Sequence, residues 1–286
     1  CPAGIDANTI KMTLDGVTVS KKTSTNGGWE YSSDVLVYNP AEKLAEGLHT
    51  VTVDVMDNAG NAAKTAVWTF EVDTILPVFK CEEAKPKDWI NNPNTVVTIP
   101  FVEEGSGLDE ENLVFIVKDK LGNKIDGEVE VDHENGIITW IPKELLEAPM
   151  TYNVRVVGSD IAGNEAAKAC EWKFTVDVAK PVIFDPQPTP DYKFTQTPEE
   201  EELVVSAKYR DEISGIDIAT AKMTINGEEV EAVATLEDIK YTLEEPEDGR
   251  YIITVNVSDR AGNAADELKW EFYIDTTPPT DPGKPY

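Results

Sequence analysis

Carboxylates are the side chains of this sequence with the greatest capacity for chemistry. The chain of 286 residues carries 54 Asp and Glu against 25 Lys and Arg, a formal net charge of −29. Hard cations such as Ca²⁺ bind mainly to carboxylate and carbonyl oxygens. A surface for nucleic acid or for anionic membrane is disfavoured, because polyanion binding depends on clustered Lys and Arg. The composition therefore favours cations or basic partners.

The sequence contains few residues that could support thiol, soft-metal or nucleophilic chemistry. The chain has three cysteines and two histidines, with no CxxC or HExxH motif, and neither His49 nor His133 has a nucleophile elbow nearby. Paired carboxylates, the signature of a glycosidase, carry little information in so acidic a chain. We therefore predict that the protein is not an enzyme. No apolar run approaches the roughly 20 residues of a membrane helix, so no membrane insertion is expected in this segment.

The elements that must position the carboxylates recur three times, about every 100 residues, which is the length of one small β-sandwich. Each copy contains an Asp-x-Ala-Gly-Asn motif, then Trp-x-Phe, then an aspartate four residues before a proline. These motifs begin at Asp57, Trp68 and Asp73 in the first copy, at Asp160, Trp172 and Asp177 in the second, and at Asp259, Trp270 and Asp275 in the third.

The local patterns are those of strands and turns. Residues 50–55 and 251–257 alternate apolar with polar side chains, which is typical of strands with one buried face. The Asp-x-Ala-Gly-Asn motif is predicted to be a hairpin turn, because glycine accepts a positive φ there. Helical periodicity of useful length is absent. The sequence therefore predicts an all-β fold.

The Tyr-x-Val-x-Val-x-x-x-Asp-x-Ala-Gly-Asn pattern that begins at Tyr152, with the Asp-Thr-Thr-Pro-Pro that begins at Asp275, resembles the tandem bacterial immunoglobulin-like (Big-type) domains of cell-surface proteins. S-layer proteins, adhesins and accessory regions of large secreted enzymes contain such modules. The resemblance implies immunoglobulin-like β-sandwiches arranged end to end, and an extracellular, cell-surface or cell-wall location. His49 stands at the corner position held by Tyr152 and Tyr251, so the hydroxyl contact of that corner is expected to be lost in the first copy.

The repeat also predicts the domain organisation. We expect a partial domain at residues 1–75, complete domains at 76–179 and 180–276, and a linker to a further module at 277–286. The first copy lacks a segment corresponding to two strands, which would leave a core face and a sheet edge uncovered. We expect the chain to be a piece of a longer polypeptide. The alternative is that another chain donates the strands, which would make the protein a strand-complemented filament subunit.

The resemblance also implies where cations would bind. In an immunoglobulin-like sandwich, the B–C and F–G loops lie at the end where the chain enters, beside the linker from the preceding domain. The carboxylates brought together this way are Asp73, Glu103, Glu104, Asp109 and Asp160 at the first junction, and Asp177, Asp211, Glu212, Asp217 and Asp259 at the second. Such groups repel unless a cation neutralises them, so Ca²⁺ is the expected cofactor. The alternative is that the motif aspartates only cap their own turns and the glutamates are solvated.

The implied fold places Cys81 in the first strand and Cys170 in the last strand of the second domain, side by side. We therefore expect a disulfide between them, which suits an extracellular compartment; two buried free thiols are the alternative. Cys1 has no expected partner in the chain.

The recurring Trp68, Trp172 and Trp270 favour a packing role. Trp29 does not recur, and beside Tyr31 it leaves two interpretations open, a carbohydrate-facing surface or local packing.

The predicted function is structural. The chain would be a spacer, stalk or surface-lattice segment of an extracellular multidomain protein, stiffened by Ca²⁺ between domains, with neighbouring copies or other domains of the same protein as partners. One alternative is an adhesin or a carbohydrate-binding accessory module, whose partner would be cell-wall or surface carbohydrate. The other is the strand-complemented filament. Exposed aromatic side chains that do not recur would favour carbohydrate binding.

Overall fold

The computed structural model describes residues 4–23, 27–195, 203–244 and 246–278. Within those ranges the chain forms 23 strands, and its one helix is a 3₁₀ turn at Cys81–Glu83. The prediction of an all-β fold is confirmed. None of the helical structure in the described ranges is long and apolar enough to cross a membrane. Cys1 and residues 279–286 of the predicted linker lie outside the described residues.

The first copy of the repeat forms one sheet and a separate hairpin. Its strands are β1 Ile5–Leu14, β2 Val17–Val19, β3 Gly28–Ser32, β4 Val35–Asn39, β5 Gly47–Asp57 and β6 Ala66–Val72. The sheet has the order β2-β1-β5-β6, and β3 pairs with β4. Its buried core is small and consists of Ile10, Met12, Trp29 and Val51.

The second copy is a complete two-sheet sandwich. Its strands are β7 Val78–Phe79, β8 Asp88–Ile90, β9 Val97–Val102, β10 Val114–Asp119, β11 Gly127–Asp132, β12 Ile137–Pro142, β13 Met150–Val157 and β14 Cys170–Val176. One sheet has the order β10-β13-β14-β8 and the other β11-β12-β9-β7. Strand β8 runs parallel to β14, while the other pairings in this copy are antiparallel.

The third copy repeats this architecture. Its strands are β15 Val182–Gln187, β16 Lys193–Phe194, β17 Leu203–Arg210, β18 Ile216–Ile225, β19 Glu228–Glu229, β20 Val233–Ala234, β21 Asp238–Leu243, β22 Gly249–Asp259 and β23 Leu268–Ile274. The two sheets have the orders β15-β17-β21-β20 and β16-β23-β22-β18-β19. The alternating residues Ile253, Val255 and Val257 are buried between them, as the period of two predicts.

The three recurring tryptophans differ in burial. Trp270 is 5% exposed and lies in the core of the third copy, whereas Trp68 is 47% exposed. Trp172 packs at the edge of its core and donates its indole N–H to the carbonyl of Pro86, 3.1 Å away. That carbonyl belongs to the segment before β8, and no described part of the first copy occupies the corresponding place. Packing therefore explains two of the three tryptophans.

Trp29 is buried in the core of the first copy. Its indole N–H donates to the carbonyl of Val19 at 3.1 Å. Local packing is therefore the interpretation of Trp29 that the structure supports, and a carbohydrate-facing surface at this residue was wrong because the ring faces the core.

The corner residue keeps its backbone contact in all three copies. Tyr152 and Tyr251 donate their hydroxyls to backbone carbonyls five and four residues earlier, at 3.1 and 2.9 Å. His49 has no hydroxyl, but its Nε2 lies 2.9 Å from the carbonyl oxygen of Ala45. The hydroxyl contact is therefore absent from the first copy, as predicted, but a ring nitrogen of His49 makes a contact with the backbone carbonyl in its place.

The environment of His49 favours its charged form. Its Nδ1 lies 2.7 Å from Oδ2 of Asp15, so both ring nitrogens face oxygen acceptors, and only the imidazolium can donate to both. The side chain is buried and stacks on Phe70 with ring centroids 5.4 Å apart. The carbonyl of Ala45 and the carboxylate of Asp15 raise the pKa of His49 above its ordinary value of 6.5.

This raised pKa makes the stability of the first copy pH-dependent. The contribution of the imidazolium is complete below pH 6.5 and disappears as the pH rises through the raised pKa of the folded state. We expect the hydrogen-exchange protection of the β5 amides, corrected for intrinsic rates, to fall across that range. His49→Tyr restores the corner of the other copies, so its β5 protection should stay level. Equal pH profiles for the two proteins would contradict this account.

Cys81 and Cys170 form a disulfide, with their Cα atoms 5.5 Å apart. Cys170 begins β14, the last strand of the copy, as predicted. Cys81 lies in the 3₁₀ turn after β7, so its predicted position in the first strand was wrong. Strand β7 pairs with β9 in the sheet opposite β14. The disulfide therefore fastens the segment that crosses between the sheets.

The disulfide should stabilise the second copy selectively. It joins residues 89 positions apart, so the loop-entropy relation gives a contribution of about 4.6 kcal/mol. Reduction or Cys81→Ser should lower the denaturant midpoint of the second copy. The third copy, which contains no cysteine, is the internal control. A midpoint that reduction leaves unchanged would show that the crosslink does not stabilise the sandwich.

Candidate metal centres between the repeats

The Asp-x-Ala-Gly-Asn motif forms the same turn at both junctions. Asp160 accepts hydrogen bonds from the backbone N–H and the side-chain amide of Asn164, both at 2.7 Å. Asp259 accepts the corresponding pair from Asn263, both at 2.8 Å. The glycine of each turn has a φ near +90°, a conformation that side chains with a Cβ rarely adopt. The motif aspartates therefore do cap their own turns.

The same asparagines also bind the incoming linker. The side-chain amide of Asn164 donates to the backbone carbonyl of Asp73 at 2.9 Å, and that of Asn263 donates to the carbonyl of Asp177 at 2.9 Å. An amide nitrogen carries two hydrogens, so one side chain serves the turn and the linker together. This bond holds the linker aspartate beside the motif aspartate.

At the first junction three carboxylates meet. One oxygen each from Asp73, Glu103 and Asp160 lie within 4.8 Å of one another. Asp160 is completely buried. Asp73 accepts hydrogen bonds from the amide and the hydroxyl of Ser106, at 2.8 and 2.6 Å. The Oε1 atom of Glu103 is buried, and none of the described residues supplies it with a hydrogen-bond partner.

The second junction repeats this arrangement with different residues. Oxygens of Asp177, Asp211 and Asp259 lie within 4.8 Å of one another, and Asp177 and Asp259 are almost completely buried. The amide of Ser214 donates to Oδ2 of Asp177 at 3.1 Å. Ser214 is only 2% exposed, yet its hydroxyl has no hydrogen-bond partner among the described residues. An unpartnered buried oxygen thus accompanies the carboxylates at each junction.

The other four predicted carboxylates lie outside these clusters. Glu104 and Glu212 are exposed. Asp109 accepts hydrogen bonds from the amides of residues 111 and 112, and Asp217 accepts one from the amide of residue 219, so both cap their own turns. The structure therefore brings together three of the five predicted carboxylates at each junction.

The charges in the clusters are uncompensated. None of the ion pairs among the described residues involves any of the six clustered carboxylates. Two unit charges 4.8 Å apart repel by roughly 3.5 kcal/mol at an effective dielectric constant of about 20. Burial, and next the charge of Asp73, raise the pKa of Glu103. The hydrogen bonds from Ser106 lower the pKa of Asp73.

The donor set suits a hard divalent cation. All the side-chain atoms that converge are oxygens, the ligand type of Ca²⁺ and Mg²⁺. The unpartnered Glu103 Oε1 and Ser214 Oγ are atoms for which a bound cation would supply the missing partner.

Sequence reasoning missed the residues that hold the carboxylates in place. Ser106 and Ser214 both precede a glycine in a Ser-Gly-x-Asp element, and that recurrence was the available signal. Gly105 had no such signal. A Cβ at Gly105 would lie 2.6 Å from Cγ of Asp73, so this position admits the linker carboxylate only because it is glycine.

Comparison with known proteins defines the class. The model of the family described as the bacterial Ig-like domain matches residues 3–74 and 190–276, which is more than half of the chain. The chain therefore belongs to the bacterial Ig-like domain family, whose fold is in general not catalytic. No curated protein sequence matches the chain significantly.

Similar solved structures are found only at low sequence identity among those named here. The fibronectin(III)-like modules of Clostridium thermocellum CbhA are 13% identical, with 70% of this chain and 94% of that chain covered and a TM-score of 0.40. The N-terminal part of the bacterial S-layer protein SbsC is 18% identical, with coverages of 67% and 43% and a TM-score of 0.26. At these identities the similarity concerns the fold alone.

The electrostatics of the first junction lead to a prediction for Glu103. Its pKa is raised in the folded state, so folding stability falls as the pH rises from about 4.5 through the raised pKa. In chelator at neutral pH, Glu103→Gln should raise the melting temperature by a few degrees, because it removes a buried charge at constant shape. The exposed Glu104→Gln is the control and should have no effect. A lower melting temperature for Glu103→Gln in chelator would show that the cluster is not repulsive.

Proposed function

We propose that this chain is a non-enzymatic spacer segment of an extracellular bacterial surface protein, and that Ca²⁺ at the junctions holds successive repeats in line. One observation carries the proposal. At both junctions a linker aspartate, a residue of the B–C loop and the motif aspartate meet. At each junction two of these three residues are buried or carry an oxygen that lacks a hydrogen-bond partner among the described residues. In the part of the chain that the structure describes, none of the three forms an ion pair with a basic side chain.

The mechanical role follows from where the ligands originate. Asp73 belongs to the linker that follows the first copy, whereas Glu103 and Asp160 belong to loops of the second copy. A cation bound by all three joins the two repeats, because bending at the linker would separate its ligands. Without the cation, the same carboxylates repel and favour opening of the junction. One set of residues therefore makes the stiffness of the array depend on the cation.

Calcium fits the site better than magnesium. Ca²⁺ accepts six to eight oxygens in flexible geometry, while Mg²⁺ requires a near-ideal octahedron and keeps several waters. The carboxylates here are already committed to turn and linker hydrogen bonds, which restricts their adjustment. The disulfide between Cys81 and Cys170 is typical of an extracellular compartment, which is where the proposed Ca²⁺ would be bound.

A calcium titration of the full chain tests the proposal. We expect Ca²⁺ to raise the melting temperature, since a ligand at 100 times its Kd stabilises the folded state by about 2.7 kcal/mol per site. Small-angle scattering should show a narrower distribution of shapes in Ca²⁺ than in chelator. An unchanged melting temperature together with unchanged scattering would refute a structural calcium site.

Matched variants separate the clusters from general acidity. The double variant Glu103→Gln and Asp211→Asn removes one carboxylate from each cluster, and it should lose both calcium effects. The double variant Glu104→Gln and Glu212→Gln removes the same charge from neighbouring exposed residues, and it should behave as the unmodified chain. An equal response of the two double variants would show that Ca²⁺ only screens the net charge.

A further inference from the structure

The outer face of the second copy holds a groove that is unrelated to the junctions. It lies across β10, β13 and β14, and its volume is about 430 Å³, within the range of small-ligand sites. The residues that line it with side chains on this outer face are Ile116, Lys118, Asn153, Arg155, Glu171 and Lys173.

The register of the sheet arranges these side chains in two rows. Lys118 lies directly opposite Asn153, and Asn153 lies directly opposite Lys173. The row Lys118, Asn153, Lys173 therefore crosses three strands, with neighbouring Cβ atoms about 5 Å apart. The second row pairs Ile116 with Arg155 and Arg155 with Glu171.

The groove is locally cationic in a chain of net charge −29. Arg155 and Glu171 form an ion pair and compensate each other. Lys118 and Lys173 have no acidic partner within ion-pair distance among the described residues, and the amide of Asn153 makes no hydrogen bond there. Two free ammonium groups therefore flank a free amide.

This arrangement is not part of the repeated framework. Lys173 pairs with the residue that comes directly after the corner tyrosine. The same pairing position holds Thr69 in the first copy and Glu271 in the third. Glu271 is itself in an ion pair with Arg250. The fold therefore does not require a lysine at this place.

A tryptophan extends the same face. Trp89 pairs with Thr175 in the parallel ladder of β8 and β14, and Thr175 is two residues from Lys173, so all three lie on one side of the sheet. Trp89 is partly exposed, and Lys193 holds its place in the third copy. The hydroxyls of Thr151 and Thr175 lie 2.8 Å apart beside it.

We propose that this face binds an acidic polysaccharide, with uronate carboxylates on Lys118 and Lys173, a hydroxyl on Asn153 and a sugar ring against Trp89. Ammonium groups recognise carboxylates, free amides bond hydroxyls, and an indole offers a flat apolar platform with a polar edge. The net negative charge of the chain does not prevent this, because salt screens charges beyond about 10 Å at 0.1 M.

Acidic protein segments fit this face less well. A peptide that adds to a sheet does so at an edge, whereas Asn153 and Lys173 lie on the interior strands β13 and β14. The side chains available to a ligand are amide, hydroxyl, ammonium and indole groups, with Ile116 and the paired Arg155 and Glu171 beside them. They form a shallow surface, which suits a chain of hydroxylated rings. An acidic peptide is therefore the competing outcome that the experiment must separate.

The test is a calorimetric titration of the full chain with an oligogalacturonate, in chelator so that the junctions play no part. We expect saturable binding that weakens with salt and is absent for the methyl-esterified oligosaccharide. Lys118→Gln with Lys173→Gln should weaken binding by about tenfold or more, and Trp89→Ala should weaken it severalfold. The control variant Lys80→Gln with Lys85→Gln changes the net charge equally, at exposed lysines beside β9 in the opposite sheet, and should bind normally.

Three results would overturn the proposal. They are no saturable binding of the oligogalacturonate, an equal loss of affinity in the control variant, and binding of polyglutamate as tightly as the oligosaccharide. None of these bears on calcium, because Lys118 and Lys173 belong to neither carboxylate cluster. Failure of this site and failure of the junction sites are therefore distinguishable.

Discussion

At each junction, one asparagine side-chain amide connects a repeat to the linker from the repeat before it. Asn164 and Asn263 each bind a motif carboxylate and the carbonyl of the incoming linker. A hydrogen bond from a single side chain thereby couples a turn of one sandwich to the exit of the sandwich before it. The burial of the carboxylates follows from this coupling, because the linker covers the turn. Burying carboxylates that have no basic partner is costly, and the proposed cation would offset that cost.

The two classes of surface differ in how they relate to the repeat. The junction clusters occupy equivalent positions in successive copies, although Glu103 at one junction corresponds to Asp211 at the other. A recurring feature of this kind fits the role that we propose for it, which is to hold successive copies together. The row of Lys118, Asn153 and Lys173 occurs in one copy only, so the framework does not explain it. The carboxylates of the junctions thus recur from copy to copy, whereas the row of Lys118, Asn153 and Lys173 distinguishes the second copy from the others.

The first copy shows how the fold tolerates local change. His49 replaces a tyrosine hydroxyl with an imidazole N–H and keeps the corner contact, with Asp15 as an additional partner. Trp68 is exposed and lies on β6, the edge strand of its described sheet, whereas Trp172 lies on β14, which β8 flanks. The predicted role of strands supplied from elsewhere, either upstream or from another chain, stays a prediction. The predicted domain boundaries likewise stay predictions, although every described sheet lies within a single predicted domain.

The sequence by itself determined the strands, the turns and the positions of the junctions, because a period of two and an Asp-x-Ala-Gly-Asn turn are local properties of the chain. It also indicated the pairing of Cys81 with Cys170 through the family resemblance. Only the tertiary structure decided which carboxylates meet. Oxygens of Glu103 and Asp211 lie within 4.8 Å of a linker carboxylate, although Asp211 also accepts hydrogen bonds from amides of its own loop. Asp109 and Asp217 cap their own turns and lie outside the clusters. Only the strand register placed Lys118 opposite Asn153 and Lys173. Contacts between strands depend on the strand register and on the paths of the loops. Both are determined jointly by residues that are far apart in the chain, so local sequence patterns do not specify them.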